Sequence, residues 1–288
     1  MIDSPPLIDL ARDDKIESWT LPQGVISQLM REMAAGRPGL ITRTGLHTFV
    51  DPRQLGARQS PSAKEDLVRL IEIEGQDWLL FRPIPLDVVF LRGTTADENG
   101  NVTMEEEAIP GEMLSTAQAA RRQGATVVVQ VKRLAKANTL PGREVKIPGI
   151  LVDYVVVDPE QRQTYASDYN PAYSGELRVP LDSLVRLPFT ERKIIARRAA
   201  LELVKGAVCN LGAGISTGVS AVASEEGILD DIILSNEQGF IGGAADGRGF
   251  RHGAELRRRG GPALSVRFLR RRRVGRGLPV LCRSRSGR

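Results

Sequence analysis

An isolated carboxylate, Glu237, stands where the apolar run "DIILSN" breaks into the glycine-rich turn "EQGFIGG". An acid just past the end of a strand can serve as a general base, a metal ligand or a nucleophile. No second metal ligand lies near it in sequence, and by spacing alone it fits a solvated turn acid equally well. Gly239, Gly242 and Gly243 permit close approach of the backbone to a ligand. A second candidate is the loop "NLGAGISTG", Asn210–Gly218. Glycines between a strand and a helix present backbone N–H groups and a helix N-terminus to an anion or a developing oxyanion. The dinucleotide fingerprint is not met: Gly212 and Gly214 give G-x-G, but the third glycine, Gly218, comes one position late. A tight turn that only connects two elements is the other reading of this loop.

The remaining acids are plainer. Asp97 and Glu98 in "TTADENGN" read as turn residues, Glu105–Glu107 as a solvated helix start, and Glu225 and Glu226 as exposed acids at a helix end. His47 reads as a loop or core residue and Cys209 as a core residue. With two histidines and two cysteines at no ligand spacing, neither a metal site nor a disulfide framework is expected.

The elements that must position these residues read as alternating helix and strand. "GVISQLMREMAAG" (Gly24–Gly36) and "EMLSTAQAARRQG" (Glu112–Gly124) have helical spacing and stop at glycine. Strands are expected at Leu86–Gly93, Ala125–Leu134 and Gly149–Asp158. Prolines and turn residues over 158–189 read as a connection between two domains. A helix is then expected over Thr190–Gly206, with Thr190 as N-cap. A β-loop-α-β unit follows, with its helix at about Thr217–Glu226 and its second strand at about Asp231–Ser235. This alternation predicts an α/β fold with a largely parallel sheet, in which ligands collect beyond the carboxyl ends of the strands.

Seven stretches in one order resemble a known family. They are "LPQGVISQLMREMAAGRPGLITRTGLHTFVDPR", "FLRGTTADENGNVTMEEEA", "VKIPGILVDYVVV", "YNPAYSGELRVPLDSL", "ERKIIARRAALEL", "NLGAGISTGVSAVASEEGI" and "NEQGFIGG". Together they resemble the family I CoA-transferases, in particular the acetate or propionate branch. The resemblance implies open parallel-sheet domains and a ping-pong transfer of CoA between a short-chain acyl-CoA and a carboxylic acid. It implies a nucleophile at Glu237, in a motif similar to E-x-G-x-I-G-G, which passes through a glutamyl-CoA thioester. It further implies an oxyanion donor at Gln23 in "LPQG", and a CoA and oxyanion lining from Asn210, Gly212, Gly214, Gly239, Gly242 and Gly243. Coenzyme A enters as substrate, so no resident cofactor is expected. Acyl-CoA and short-chain acids are the implied partners, in a homo-oligomer, as in acetate, propionate and ketone-body metabolism.

The chain departs from the family in several ways. The family's chains are about twice as long, so the first domain is expected to lack its start and the second to be incomplete, with Met1 an internal start. Ser216 replaces the proline of "GIP", and His47 replaces the middle glycine of "GLGTF"; either change is expected to crowd the backbone. The domains are expected at 1–189 and 190–246, followed by a disordered segment at 247–288. Arg248–Arg288 holds 14 Arg, no Lys and one acid, so it carries +13 of a chain whose net charge is only +5, and the body before it is acidic. Arg, Gly, Ala and Pro without Lys is the output of a GC-rich gene read in a shifted frame. A nucleic-acid-binding arm is the alternative, though such an arm mixes Lys with Arg and interleaves aromatics. No run approaches the ~20 apolar residues of a membrane span. The start lacks the pattern of a signal peptide, so a cytoplasmic location is expected. Two readings of function follow: an active CoA-transferase, or an inactive fragment of one.

Overall fold

The computed structural model describes residues 5–164, 168–177, 186–212, 214–236 and 280–282. The chain divides into two compact units, residues 1–163 with 262–288, and residues 164–261. The division at 163/164 falls inside the stretch 158–189 that was read as a connection.

In the first unit, α1 (Pro5–Arg12) and α2 (Gln23–Ala35) precede β1 (Leu40–Thr42), β2 (Val68–Ile73), β3 (Gln76–Phe81), β4 (Val88–Arg92), β5 (Thr95–Asp97) and β6 (Val102–Thr103). Then come α3 (Met113–Gln123), β7 (Thr126–Val131), β8 (Arg133–Ala135), β9 (Val145–Ile147) and β10 (Tyr154–Val157). The second unit holds α4 (Pro171–Ser174), α5 (Glu191–Ala200), β11 (Val208–Leu211), α6 (Thr217–Glu225) and β12 (Ile233–Asn236). The last described element is β13 (Val280–Cys282), which groups with the first unit.

The expected parallel sheet is present. β4, β7 and β10 pair in parallel, with β13 beyond β10. Val127, Val129 and Val131 alternate onto one face of β7 and are fully buried there, beside Val89, Leu91 and Val155. Ala117 and Ala120 of α3 belong to the same core. Their small side chains let the helix lie close to the sheet, and each fully buried valine contributes about 1.5–3 kcal/mol. α2 buries Val25, Leu29, Met30 and Met33 in a second core with Leu79 and Phe81 of β3 and Ala119 of α3.

Several expectations need correction. The sequence reading named no element between Gly36 and Leu86, where β1, β3 and β2 form an antiparallel sheet. The strand expected over Ala125–Leu134 is two strands. β7 ends at Val131, and β8 leaves to pair with β5 in a mixed sheet of order β8-β5-β6-β9. Gly149–Leu151 is a 3-10 turn rather than strand. α5 ends at Ala200 instead of running to Gly206, and the Thr190 side chain makes no capping hydrogen bond. The tail, read as free of elements, supplies β13, whose Val280–Cys282 pair in parallel with Val155–Val157 of β10.

Candidate active site

The β-loop-α-β unit read from the sequence forms. β11 and β12 pair in parallel, with Cys209 opposite Leu234, Asn210 opposite Ser235 and Leu211 opposite Asn236. Leu211 and Leu234 point into a core with Val219, Val222 and Ala223 of α6 and Ala196 and Ala200 of α5. Gly218 explains how closely the two helices meet, since a Cβ there would lie 3.1 Å from the Ala196 Cβ. α6 is pinned to α5 at its far end. Glu225 accepts from Lys193 Nζ and from the Leu187 N–H at 2.6 Å, and Glu226 accepts from Arg197 Nε at 2.7 Å. Burial opposes ionisation of Glu225, but these donors outweigh it and hold its carboxyl below the usual value. Glu225 is thus largely buried and paired, not the exposed acid expected.

The glycine loop joins β11 to α6 and is closed by its own hydroxyls. Ser216 Oγ donates to the Gly212 carbonyl at 2.6 Å, and Thr217 Oγ1 to the Gly214 carbonyl at 2.8 Å. Arg192 of α5 donates to the same Gly214 carbonyl at 3.0 Å. Gly214 has φ +114°, a conformation that glycine alone adopts without strain. A Cβ at Gly212 or Gly214 would meet nothing within 4 Å, so the loop borders open space. Ser216 therefore ties the loop rather than crowding it. His47 sits exposed at φ +63°, in the left-handed region that glycine adopts more readily, and its N–H donates to Asp51 Oδ2 at 3.0 Å.

Of the expected site residues, the second unit brings Asn210, Gly212 and Gly214 together at the carboxyl end of the β11–β12 pair. Glu237, Gly239, Gly242 and Gly243 lie outside the described residues. Sequence reasoning missed one partner. Asn210 Nδ2 donates to Ser235 Oγ at 3.1 Å, joining the head of the glycine loop to the residue two before Glu237. The register of two parallel strands is the signal that would have found it. Gln23 belongs to the first unit, where it opens α2 with its side chain exposed. One turn on, Ser27 Oγ donates to Glu112 Oε1 at 2.5 Å, just before α3, so the N-terminal ends of α2 and α3 meet beside Gln23.

The first unit also gathers polar side chains beyond the carboxyl ends of β4 and β7. Arg92 Nε meets Glu107 at 2.9 Å, and Lys132 Nζ meets Glu106 at 2.8 Å. Arg133 pairs with Glu106 and donates to Thr95 Oγ1 at 3.0 Å, while Thr95 donates to Glu105. Glu106 and Glu107 are thus largely buried and paired, and no helix starts there. Burial raises the Glu107 carboxyl despite Arg92, whereas Lys132 and Arg133 overcome burial and lower that of Glu106. Acids and cations satisfy one another, so this network fixes the Met104–Glu107 turn and leaves no charge in search of a ligand. Among the described residues, no group of three or more His, Cys, Asp and Glu is arranged to hold a metal ion, and no helix is long and apolar enough to cross a membrane.

Comparison with known proteins agrees with this arrangement. The model of the Coenzyme A transferase family matches residues 6–158. The caffeate CoA-transferase of Acetobacterium woodii is 51% identical over 238 residues, 82% of this chain and 45% of that protein. The acetate CoA-transferase YdiF of Escherichia coli O157:H7 is 43% identical over 257 residues, 89% of this chain and 48% of that protein. The solved structure of the acyl-CoA transferase YdiF from the same organism, in a thioester complex with CoA, superposes with a TM-score of 0.77, covering 84% of this chain and 48% of that one. The chain spans about half the length of the curated relatives it matches. On its α/β fold with parallel sheets and on these matches, the chain belongs to the coenzyme A transferase family.

Proposed function

We propose that the chain carries the nucleophilic half-site of an acyl-CoA:carboxylate CoA-transferase, with Glu237 as the attacking carboxylate. The observation that supports this most directly is the Asn210–Ser235 hydrogen bond across the parallel β11–β12 pair, which joins the glycine loop to the strand leading into Glu237. Ligands of open α/β sheets gather at that end.

In this reading the ionised Glu237 attacks the thioester carbonyl of an acyl-CoA. The C–S bond breaks, CoA leaves as thiolate, and an acyl-glutamyl anhydride remains. The thiolate then attacks the glutamyl carbonyl, releasing the first acid and leaving a glutamyl-CoA thioester; an incoming carboxylate reverses both steps. A carboxylate with an ordinary pKa of about 4.3 is ionised at neutral pH, so no general base, metal or resident cofactor is required. Asn210, Gly212, Gly214, Gly239, Gly242 and Gly243 line the thioester in this reading, and their backbone N–H groups stabilise the developing oxyanion. Short-chain acids of the acetate and propionate type are the proposed substrates. The similarity to a caffeate CoA-transferase adds hydroxycinnamates as the comparison class.

The test is the covalent intermediate. The chain is incubated separately with acetyl-CoA, propionyl-CoA and a hydroxycinnamoyl-CoA and its intact mass is read. A gain of one CoA less one water, mapped to the peptide holding Glu237, discharged by acetate and lost in Glu237→Ala, supports the proposal. A chain unmodified by all three acyl-CoAs overturns it in favour of an inactive fragment.

A further inference from the structure

The tip of the β5–β6 hairpin carries Asn99–Gly100, the one Asn-Gly pair in the chain. Asn99 is exposed there. The pair has a chemistry of its own. The backbone nitrogen after an asparagine can attack the side-chain carbonyl carbon, and glycine, with no Cβ, hinders that approach least. Two other asparagines set the scale. Asn101 precedes the β-branched Val102, and Asn170 precedes Pro171, whose nitrogen has no proton to lose.

The fold holds both reacting groups. The Gly100 N–H donates to the Asp97 carbonyl at 2.9 Å, so the nucleophile is engaged in the turn. Asn99 Nδ2, the leaving group, donates to Asn138 Oδ1 at 3.1 Å. Asn138 is itself anchored. Its N–H reaches Asp97 Oδ2 at 3.3 Å, and Lys136 Nζ and the Ala137 N–H donate to Glu98 at 2.8 and 3.2 Å. Asn138 stands at φ +63°, a conformation that asparagine tolerates better than most residues. The 136–138 loop thus clasps the hairpin tip from outside the β5–β6 pair.

We infer that Asn99 is a deamidation site and that the clasp from the 136–138 loop sets its rate. When the tip opens, the Gly100 nitrogen loses its proton to solvent and attacks Asn99 Cγ. The Cγ–Nδ2 bond breaks, and Nδ2 takes up a proton and leaves as ammonia. A five-membered succinimide closes. Water then adds to one imide carbonyl and breaks its C–N bond. Opening at Cγ gives aspartate; opening at the backbone carbonyl gives isoaspartate, with the main chain rerouted through the side chain. Water is consumed and ammonia released, and no other reactant is needed. Neither product fits the clasp. A carboxylate at position 99 faces the Asn138 Oδ1 acceptor and stands beside Glu98. Isoaspartate lengthens the main chain where it is packed most closely, since a Cβ on Gly149 would lie 2.1 Å from the Asn99 carbonyl oxygen. The modification therefore releases the clasp irreversibly. The inference uses no residue of the proposed Glu237 chemistry.

The test is the fate of Asn99 in the folded chain. The full chain is kept for days in mildly alkaline buffer and digested with trypsin. Fragmentation of the peptide Gly93–Arg121 locates a gain of about one mass unit. Isoaspartate is read by methyl transfer from S-adenosylmethionine with a protein isoaspartate methyltransferase. Asn99 should convert while Asn101 and Asn170 stay intact, and more slowly than in the same chain unfolded in urea. Asn138→Ala should speed conversion about fivefold relative to its own urea-unfolded rate, the effect of one lost hydrogen bond on the population of the open tip. Glu98→Ala, which frees the same loop at its other anchor, should also speed it. Both variants are compared with the parent by circular dichroism. An Asn99 that outlasts Asn101 in the folded parent, a folded rate equal to the unfolded one, or rates unmoved by both substitutions would each overturn the inference.

Discussion

Asp97 illustrates how far a residue's role can differ from its local appearance. Its carboxylate is 1% exposed and accepts from the Asn99 and Asn101 N–H groups at 3.0 and 2.9 Å, from Asn101 Nδ2 at 3.0 Å and from the Asn138 N–H at 3.3 Å. Asp97 was read as a turn residue, but it is the last residue of β5, and Asn138 reaches it from another loop. Burial acts to raise its pKa, but the donors prevail and the carboxyl is held below the usual value. Asp97→Asn replaces one acceptor oxygen by an NH2 that faces donors, so a loss of about 2–3 kcal/mol is expected from urea unfolding at pH 7. The depressed folded pKa fixes the sign of the pH dependence. The advantage of aspartate is complete above the unfolded value of about 3.9 and fades as pH falls through the folded value. The gap between parent and variant should therefore narrow on acidification below about pH 4; an unchanged gap at pH 3 would show that the carboxylate is not held ionised.

Among the elements, the 3-10 turn Gly149–Leu151 closely approaches the β5–β6 hairpin that carries Asp97. The Gly149 N–H donates to Asn101 Oδ1 at 2.9 Å, and a Cβ on Gly149 would lie 2.1 Å from the Asn99 carbonyl oxygen. Because the obstacle is backbone, Gly149→Ala must push the hairpin away, at a cost of about 2–3 kcal/mol. A melting temperature unchanged from the parent would contradict this packing. Nothing about Gly149 announced the contact in sequence, where "PGILVDYVVV" reads as one run into a strand. The contrast with α2 and α3 is physical. Their apolar spacing and terminal glycines are local signals, and both helices lie within one residue of where the sequence puts them. Pairings such as β5 with β8, or the ion pairs that bury Glu106 and Glu225, join residues far apart in sequence and leave no local trace. The glycine loop was legible as a loop, but its role depended on family resemblance and its Asn210–Ser235 tie on the fold.

At the scale of the whole molecule, the two units should not unfold together. The first has two cores containing Phe81, Leu29, Leu79 and Ile147, all fully buried. Among the described residues, the second has one core without an aromatic residue, a two-stranded sheet with Val208 and Ile233 exposed, and helix α5 with Ile194 and Ile195 half exposed. Cooperativity extends only as far as shared packing, and a small core is marginal against its conformational entropy. The second unit should therefore melt first. Both tryptophans, Trp19 and Trp78, lie in the first unit, so fluorescence follows that unit alone while far-ultraviolet circular dichroism follows both. Thermal or urea unfolding should give a biphasic dichroism curve whose later phase coincides with the fluorescence transition. Val208→Asp, at an exposed position of the second unit, should leave the fluorescence transition where it is. Superimposable single transitions by the two probes would mean that the chain folds as one cooperative body, and would overturn the separate melting of the second unit.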